Sequence, residues 1–210
     1  MGPLLFSLFI NDIEDGILNS KILLYADDLK SFRPIRQRED SDLLQMDLNS
    51  LVKWSEENDL PFNINKCETM TFTRNTISVV KYTYKIHNEP LREKEWVKDL
   101  GVIIDKGMTF VMHITQLIQK TRRTMGFLMR NTGNFKNIQT FLTLYFALIR
   151  SNLEFAALIW NPHTATHTNS IEQIQKRFLR FLYLKTFDYY PSEIPYEELL
   201  RGFQIKSLEN

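Results

Sequence analysis

The chain is poor in the residues that build special-purpose scaffolds. A single cysteine, Cys67, stands among 210 residues. No disulfide can form within the chain, and a reducing compartment is the default. Gly and Pro number seven each, which excludes a collagen-like or linker-like composition. Aromatic residues make up 12% and hydrophobic residues 43% of the chain, so intrinsic disorder is excluded as well. A long hydrophobic run is also missing. The most apolar stretch, Phe141 to Trp160, is broken by Arg150, Asn152 and Glu154. That pattern argues against a membrane span and for a buried helix. The first residues lack the basic region and cleavage site of a secretory signal. Pro3 and Phe6 exclude a myristoylation signal. These absences point to an intracellular protein, nuclear or cytoplasmic, with no membrane partner.

An excess of one charge is absent overall, with a net of +1, but the balance is uneven along the chain. Met1 to Leu100 holds 13 Lys and Arg against 17 Asp and Glu; Gly101 to Asn210 holds 13 against 8. Between Lys106 and Lys185, 11 basic residues face only Glu154 and Glu172. An acidic half that gathers cations and a basic half that gathers phosphates would give this pattern. Ordinary solvated helix faces would give it too.

What is present reads as mixed α+β first and nearly pure α afterwards. Gly2-Pro3 opens a helix with an apolar stripe through Leu4, Leu5, Leu8, Phe9 and Ile13. Lys21 to Phe32 reads as a β-hairpin turning at Ala26-Asp27-Asp28. Asp40-Ser41-Asp42 offers N-cap oxygens for a helix carrying Leu44, Leu48, Leu51 and Val52, ending near Asn58-Asp59. Strands are predicted over Phe62 to Thr73, Val79 to Ile86 and Val97 to Ile104. Helices follow. The first carries Ile114, Leu117, Ile118, Thr121 and Met125; the others run from about Ile138 to Ser151 and from about Ser170 to Leu184. The change of pattern and the change of charge coincide near Asp105 to Met112, so two domains are expected, 1–106 and 107–210.

The hairpin carries the chemistry. Nucleotidyl transfer needs two divalent cations about 3.5–4 Å apart, held by hard oxygen ligands. Asp27 and Asp28 supply such oxygens at a turn that four bulky apolar residues, Ile22 to Tyr25, would lock into a core. Asp is also a favoured turn residue, so a bare Asp-Asp pair would be an ordinary hairpin turn.

The wider sequence resembles the reverse transcriptases of non-LTR, LINE-type retrotransposons, closest to the jockey-like group. Gly2-Pro3-Leu4-Leu5-Phe6-Ser7-Leu8-Phe9-Ile10-Asn11-Asp12-Ile13 resembles the end of that family's motif B, and Tyr25-Ala26-Asp27-Asp28 its motif C. Trp54 and Asn65-Lys66-Cys67-Glu68, leading into Met70-Thr71-Phe72, resemble motif D; Leu100-Gly101-Val102-Ile103-Ile104-Asp105 resembles motif E. His113-Ile114 and Lys120 resemble the first thumb helix. Tyr145, Ile149-Arg150, Leu153-Glu154-Phe155-Ala156, Trp160 and Ile174 to Arg180 resemble the helices that follow.

The resemblance implies a partial polymerase palm, an antiparallel sheet with helices over 1–106, followed by a mainly α-helical thumb over 107–210. It implies an RNA template, a DNA primer and deoxynucleotide substrates. It makes Asp27 a ligand of catalytic Mg²⁺ or Mn²⁺ with Asp28 assisting, and sets Lys66 near the leaving pyrophosphate, where a lysine suits proton donation. Tyr25, Lys120, Arg122, Arg123, Arg130, Lys176, Arg177 and Arg180 become contacts to nucleic acid. For the cations these are phosphate contacts, independent of sequence and sensitive to salt. A strand-edge lysine and solvated basic faces are the plainer readings of the same residues.

The family's motif A aspartate belongs upstream of motif B, and this sequence opens inside motif B. Asp12, Glu14 and Asp15 are no substitute for it by motif order. The expectation is therefore weak metal binding or none, and no DNA synthesis, by these 210 residues alone. A non-catalytic nucleic-acid-binding or scaffolding remnant is the alternative. His163 and His167 have the spacing of half a zinc site but no cysteine pair before them.

Overall fold

The computed structural model describes residues 2–73, 79–162, 164–189 and 195–208. Two compact units divide the chain, Met1–Trp96 and Val97–Asn210. The fold is mixed α+β, with several two-stranded sheets, mostly antiparallel, and a larger helical share.

The first unit opens with α1 (Gly2–Phe9) and a 3₁₀ turn over Asn11–Glu14. Ile10 and Ile13 are buried, but Leu4, Leu5 and Leu8 of the expected apolar stripe are exposed. Strands β1 (Lys21–Tyr25) and β2 (Asp28–Phe32) form an antiparallel hairpin. Only one face of it is covered: Ile22, Leu24 and Leu29 pack on a core of Ile10, Ile13 and Leu51, while Leu23 and Tyr25 face outward. The four apolar residues before the turn are thus divided between core and solvent by the two-residue period of a strand.

Helix α2 (Arg38–Glu57) begins a little before the expected acidic cluster. Asp40 lies inside its first turn and reaches back to accept the Arg36 and Gln37 N–H groups at 3.0 and 3.2 Å. Carboxylate oxygens near a helix N-terminus satisfy otherwise unpaired donors there.

The two long strands expected next do not form. Asn63-Ile64-Asn65-Lys66 closes a 3₁₀ turn instead, with the Lys66 N–H on the Asn63 carbonyl at 2.9 Å. Strands β3 (Glu68–Thr69), β4 (Lys85–Ile86), β5 (Glu89–Pro90) and β6 (Arg92–Glu93) are two residues each; β3 pairs parallel with β6 and β4 antiparallel with β5. Asparagine competes for backbone hydrogen bonds and favours turns, which interrupts the apolar alternation. Gln45 of α2 clamps β4 by exchanging hydrogen bonds with both backbone groups of Lys85, at 2.8 and 2.9 Å.

The second unit begins within β7 (Trp96–Asp99), which forms a hairpin with β8 (Val102–Asp105). Leu100 and Gly101 both take positive φ, 43° and 93°. Two such residues between strands make the tight turn that matches strand twist, and glycine suits the second position. This converts the single predicted strand into a hairpin. The helices are α3 (Val111–Asn131), α4 (Ile138–Tyr145), α5 (Ser151–Glu154), α6 (Ala157–Trp160), α7 (Ala165–Phe187) and α8 (Tyr196–Gly202). A π-type turn over Phe146–Arg150 joins α4 to α5. The α3 residues expected inside, Ile114, Leu117, Ile118, Thr121 and Met125, are all buried. So are Ile171, Ile174, Phe178, Leu179 and Leu182 of α7, a helix longer at both ends than its periodicity indicates. These faces and Phe141, Tyr145 and Ile149 share one core. Asp105 ends β8 and stops the chain before α3, accepting N–H groups of Gly107, Thr109 and Phe110 at 2.8–3.1 Å.

Candidate metal-binding turn and nucleic-acid-binding helices

The β1–β2 hairpin closes with Tyr25 opposite Asp28, leaving Ala26 and Asp27 as a two-residue loop. Ala26 takes φ 51°, a conformation that costs a residue with a Cβ about 1–2 kcal/mol. Asp27 and Asp28 are both exposed, and neither side chain makes a hydrogen bond or ion pair within the described residues. Their oxygens are hard acceptors with open lone pairs on a paired backbone. That suits a magnesium-like cation, which needs oxygen ligands and retains water at vacant positions. No group of three or more Asp, Glu, His or Cys side chains placed to hold a metal occurs among the described residues. Tyr25 is 64% exposed, on the outer face of β1 next to Asp28.

The loop is aimed by the far end of the hairpin. Asp47 of α2 is 2% exposed. It accepts the Leu18 and Asn19 N–H groups at 3.3 and 2.9 Å and the Asn19 side-chain amide at 3.0 Å. Burial alone would raise its carboxyl pKa; the hydrogen bonds from Asn19 and Leu18 outweigh burial and hold it below the ordinary carboxylate range. Arg33, just beyond β2, bonds the Asn19 carbonyl and pairs with Asp40 at 3.0 Å. Both ends of the hairpin base are thereby tied to α2. Trp54 of the same helix donates to Asp12 at 3.0 Å and packs on Phe9, which makes Asp12 a structural acceptor.

Lys66 is exposed at the end of its 3₁₀ turn and makes no bond to Asp27 or Asp28. Cys67 beside it donates its thiol to the Asn63 carbonyl at 3.4 Å, and burial raises its pKa.

The predicted cations of the helical unit fall into two sets. On α3, Lys120, Arg123 and Arg130 share one side with the exposed Phe127, opposite the buried stripe; Arg122 lies on the other flank. Lys120 donates to Asn152 at 2.8 Å, and Arg130 folds over Gly126. On α7, Arg177 and Arg180 are exposed, while Lys176 sits over the Tyr196 ring at 4.9 Å.

The family relationship rests on comparison with known sequences. The profile described as "Reverse transcriptase (RNA-dependent DNA polymerase)" matches residues 1–126. The chain belongs to the reverse transcriptase family. The RNA-directed DNA polymerase from mobile element jockey of Drosophila funebris is 28% identical over 90% of this chain and 22% of its own length. The probable RNA-directed DNA polymerase from transposon X-element of Drosophila melanogaster is 25% identical over 87% of this chain and 21% of its own length. The Drosophila melanogaster jockey polymerase is also 25% identical over 90% of the chain. This reverse transcriptase chain therefore spans about a fifth of the length of the relatives it matches. The relatives agree with the resemblance to non-LTR elements. No solved structure matches the chain. Reverse transcriptases generally use divalent metal ions. None of the helices is long and apolar enough to cross a membrane, among the described residues.

Sequence reasoning missed several residues that shape this reverse transcriptase chain. Asp47 and Arg33 are two. A buried network is another: Gln175 takes the Tyr145 hydroxyl at 2.6 Å and an Arg150 N–H at 3.3 Å, and its amide reaches the Lys206 carbonyl and the Tyr196 hydroxyl. Burial raises the Tyr145 pKa strongly. Polar residues at apolar-stripe positions were the available signal, since Asp47 falls between Leu44, Leu48 and Leu51, and Gln175 between Ile171 and Phe178. The half-site spacing of two histidines stays untested, because His163 lies outside the described residues; His167 bonds Thr164 at 2.9 Å.

Proposed function

We propose that this chain is part of an RNA-directed DNA polymerase, supplying Asp27 and Asp28 to a divalent-metal site and its basic helices to an RNA–DNA template–primer. The observation that carries the reading is the hairpin turn: two exposed, unpaired carboxylates at adjacent positions, braced by a core face and by Asp47, in a chain of the reverse transcriptase family. The first unit would be the palm portion and the helical unit the thumb. When bound, Mg²⁺ or Mn²⁺ would lower the pKa of the attacking 3′-oxygen and offset charge on the phosphoryl group. Asp27 and Asp28 would hold the metal, and Tyr25 would flank the primer end. Lys66 is suited by its charge and exposure to the departing pyrophosphate. Lys120, Arg122, Arg123, Arg130, Lys176, Arg177 and Arg180 would contact phosphates, positioning the duplex without reading its sequence. Deoxynucleotides would be the second substrate.

Two measurements test this. Mn²⁺ added to the chain is expected to broaden the amide resonances of Ala26 to Leu29 selectively, with a dissociation constant of about 0.1–1 mM or weaker, as for a site with few charged ligands. Asp27→Asn is expected to abolish that broadening; uniform broadening over the acidic surface would refute the site. Because Asp27 and Asp28 are only part of a ligand set, the 210 residues alone are expected not to extend a primer with Mg²⁺. Asp27-dependent synthesis by this chain would contradict that expectation. Duplex binding that is lost with the basic helices but indifferent to Asp27→Ala and Mn²⁺ would favour a non-catalytic binding role.

A further inference from the structure

His113 joins three elements of the helical unit. It stands in the first turn of α3 and is 8% exposed. Its Nδ1 accepts the Ile103 N–H of β8 at 3.3 Å. Its ring lies 5.4 Å from the ring of Trp160 on α6. Trp160 donates its indole N–H to the Phe155 carbonyl at 2.7 Å. The Phe155 ring in turn lies against Gly101 in the β7–β8 turn, where a Cβ would come within 3.2 Å of Cε1. The contacts thus run from α3 through α6 to the tip of the hairpin, and back to α3 through β8. The bond from Ile103 to Nδ1 closes that circle.

The same bond fixes the state of the ring. A neutral imidazole has one donor and one acceptor nitrogen. With Nδ1 accepting, the proton sits on Nε2, which is buried without a hydrogen-bond partner among the described residues. A second proton would go to Nδ1, the atom that holds Ile103. Two N–H groups would then face each other, and a buried charge would have neither donor satisfied. The neighbouring charges offer no relief. Lys98 of β7 and Lys120 and Arg123 of α3 line the same cleft as His113, and all three repel a further positive charge. Among the described residues no carboxylate lines that cleft, Asp99 of β7 included. Asp105 of β8 is taken up by the Gly107, Thr109 and Phe110 N–H groups, and Glu154 of α5 by Arg150 at 2.6 Å. Trp160 is the aromatic contact from α6, which carries no charged residue. Burial accordingly pushes the His113 pKa below the ordinary histidine value.

We propose that His113 is a proton-operated pin on the β7–β8 hairpin: neutral, it locks β8 to α3 and α6; protonated, it releases the strand. The hairpin then keeps its second polar attachment to α3, the turn from Asp105 to Phe110. Burial alone would raise the Asp105 pKa, but hydrogen bonds from Thr109, Phe110 and Gly107 hold it below the ordinary carboxylate range. That attachment therefore survives to lower pH than the pin, and between the two titrations the hairpin pivots on the Asp105 turn. The neutral ring is the form that the folded contacts favour. The lock is thus full above the unfolded histidine pKa of about 6.5 and is lost as pH falls through the lower folded value. The pin stands on the contacts of β8, α3 and α6 alone, whatever the protein's substrate.

The test is an NMR titration of the 210-residue chain from neutral to mildly acidic pH. At neutral pH the His113 ring nitrogens are expected to show the proton on Nε2. On acidification the ring and the Ile103 amide are expected to shift together, with one midpoint below about 6.5, while the Thr109 and Phe110 amides hold. Two substitutions separate the ring nitrogens. Asn can set its side-chain oxygen near the place of Nδ1, and Gln near that of Nε2. His113→Asn is expected to keep the Ile103 amide bonded and to make its shift independent of pH over this range. His113→Gln is expected to lower the hydrogen-exchange protection of Ile103 about ten-fold at neutral pH, with Leu117 of α3 unchanged. An Ile103 amide that does not follow the ring overturns the proposal. So does a ring midpoint above the ordinary histidine value, or equal loss of Ile103 protection with Asn and with Gln. Should either variant loosen Leu117 as well, the titration of the parent chain decides, since it needs no substitution.

Discussion

Asp47 braces the far end of the hairpin that carries the candidate metal ligands. The residues it bonds, Leu18 and Asn19, are separated from Asp27 by the whole of β1, whose five residues alone span some 17 Å. Yet it fixes the backbone that enters β1, because two N–H groups and an amide converge on its carboxylate. Replacing it with Ala would leave those donors without their acceptor in a half-buried place. Hydrogen bonds to a charged group are worth about 1.5–3 kcal/mol net. Asp47→Ala is therefore expected to destabilise the first unit by about 2–3 kcal/mol at pH 7, measured by urea unfolding. The hydrogen bonds hold the folded pKa below the unfolded value. Its contribution is then full above the unfolded pKa near 3.9 and fades as pH falls through the folded value. The difference between parent and Asp47→Ala should accordingly shrink below about pH 4. A difference that stays constant from pH 7 to pH 3 would show that the carboxylate charge is not what holds the loop.

Among the elements, α3 and α7 were the most legible in the sequence, and the short strands of the first unit the least. A long helix with a wide apolar stripe repeats its signal over several turns, so Ile114 through Met125 and Ile171 through Leu182 identify their buried faces without ambiguity. A two-residue strand such as β4 has no period to read, and its place is set by Gln45 on another element. The hairpin at Lys21–Phe32 was legible because apolar alternation and a turn pair coincide, although the sequence could not show that only one of its faces is covered. Chain-distant pairings such as Arg150 with Lys206 left no local trace. Lys98, Lys120 and Phe155 likewise become neighbours only through the fold. Gly126 is a further case, a glycine inside α3 with no turn to make. Among the described residues a Cβ there would meet only the Arg130 guanidinium, at 3.2 Å, the far end of a flexible side chain. Gly126→Ala is thus expected to stabilise the helical unit by up to about 1 kcal/mol, since glycine costs about that much in a helix interior. A calorimetric melt should rise by about 2–4 °C. A fall would mean that Arg130 cannot move aside.

For the whole molecule, the candidate charges fall in different units: exposed carboxylates on a turn of the first, cations on helices of the second. A duplex bound through those cations releases counterions in proportion to the phosphates neutralised, with a slope of about 0.9 per contact. The seven predicted cations are not equivalent in the structure. Arg177 and Arg180 are exposed and have no partner within the described residues, whereas the Lys176 ammonium already rests on Tyr196. A cation over a ring at an exposed site gains about 0.5–1 kcal/mol, which a phosphate must displace or share. Arg177→Gln and Arg180→Gln are therefore expected to lower the salt slope for an RNA–DNA duplex by about 0.9 each, and Lys176→Gln by distinctly less. The three losses should add, because each acts through its own phosphate and none of the three bonds another. Equal effects from all three would mean that Lys176 leaves Tyr196 on binding. No effect from Arg177 and Arg180 would move the duplex off α7 and leave the α3 stripe of Lys120, Arg123 and Arg130 as the surface that carries it.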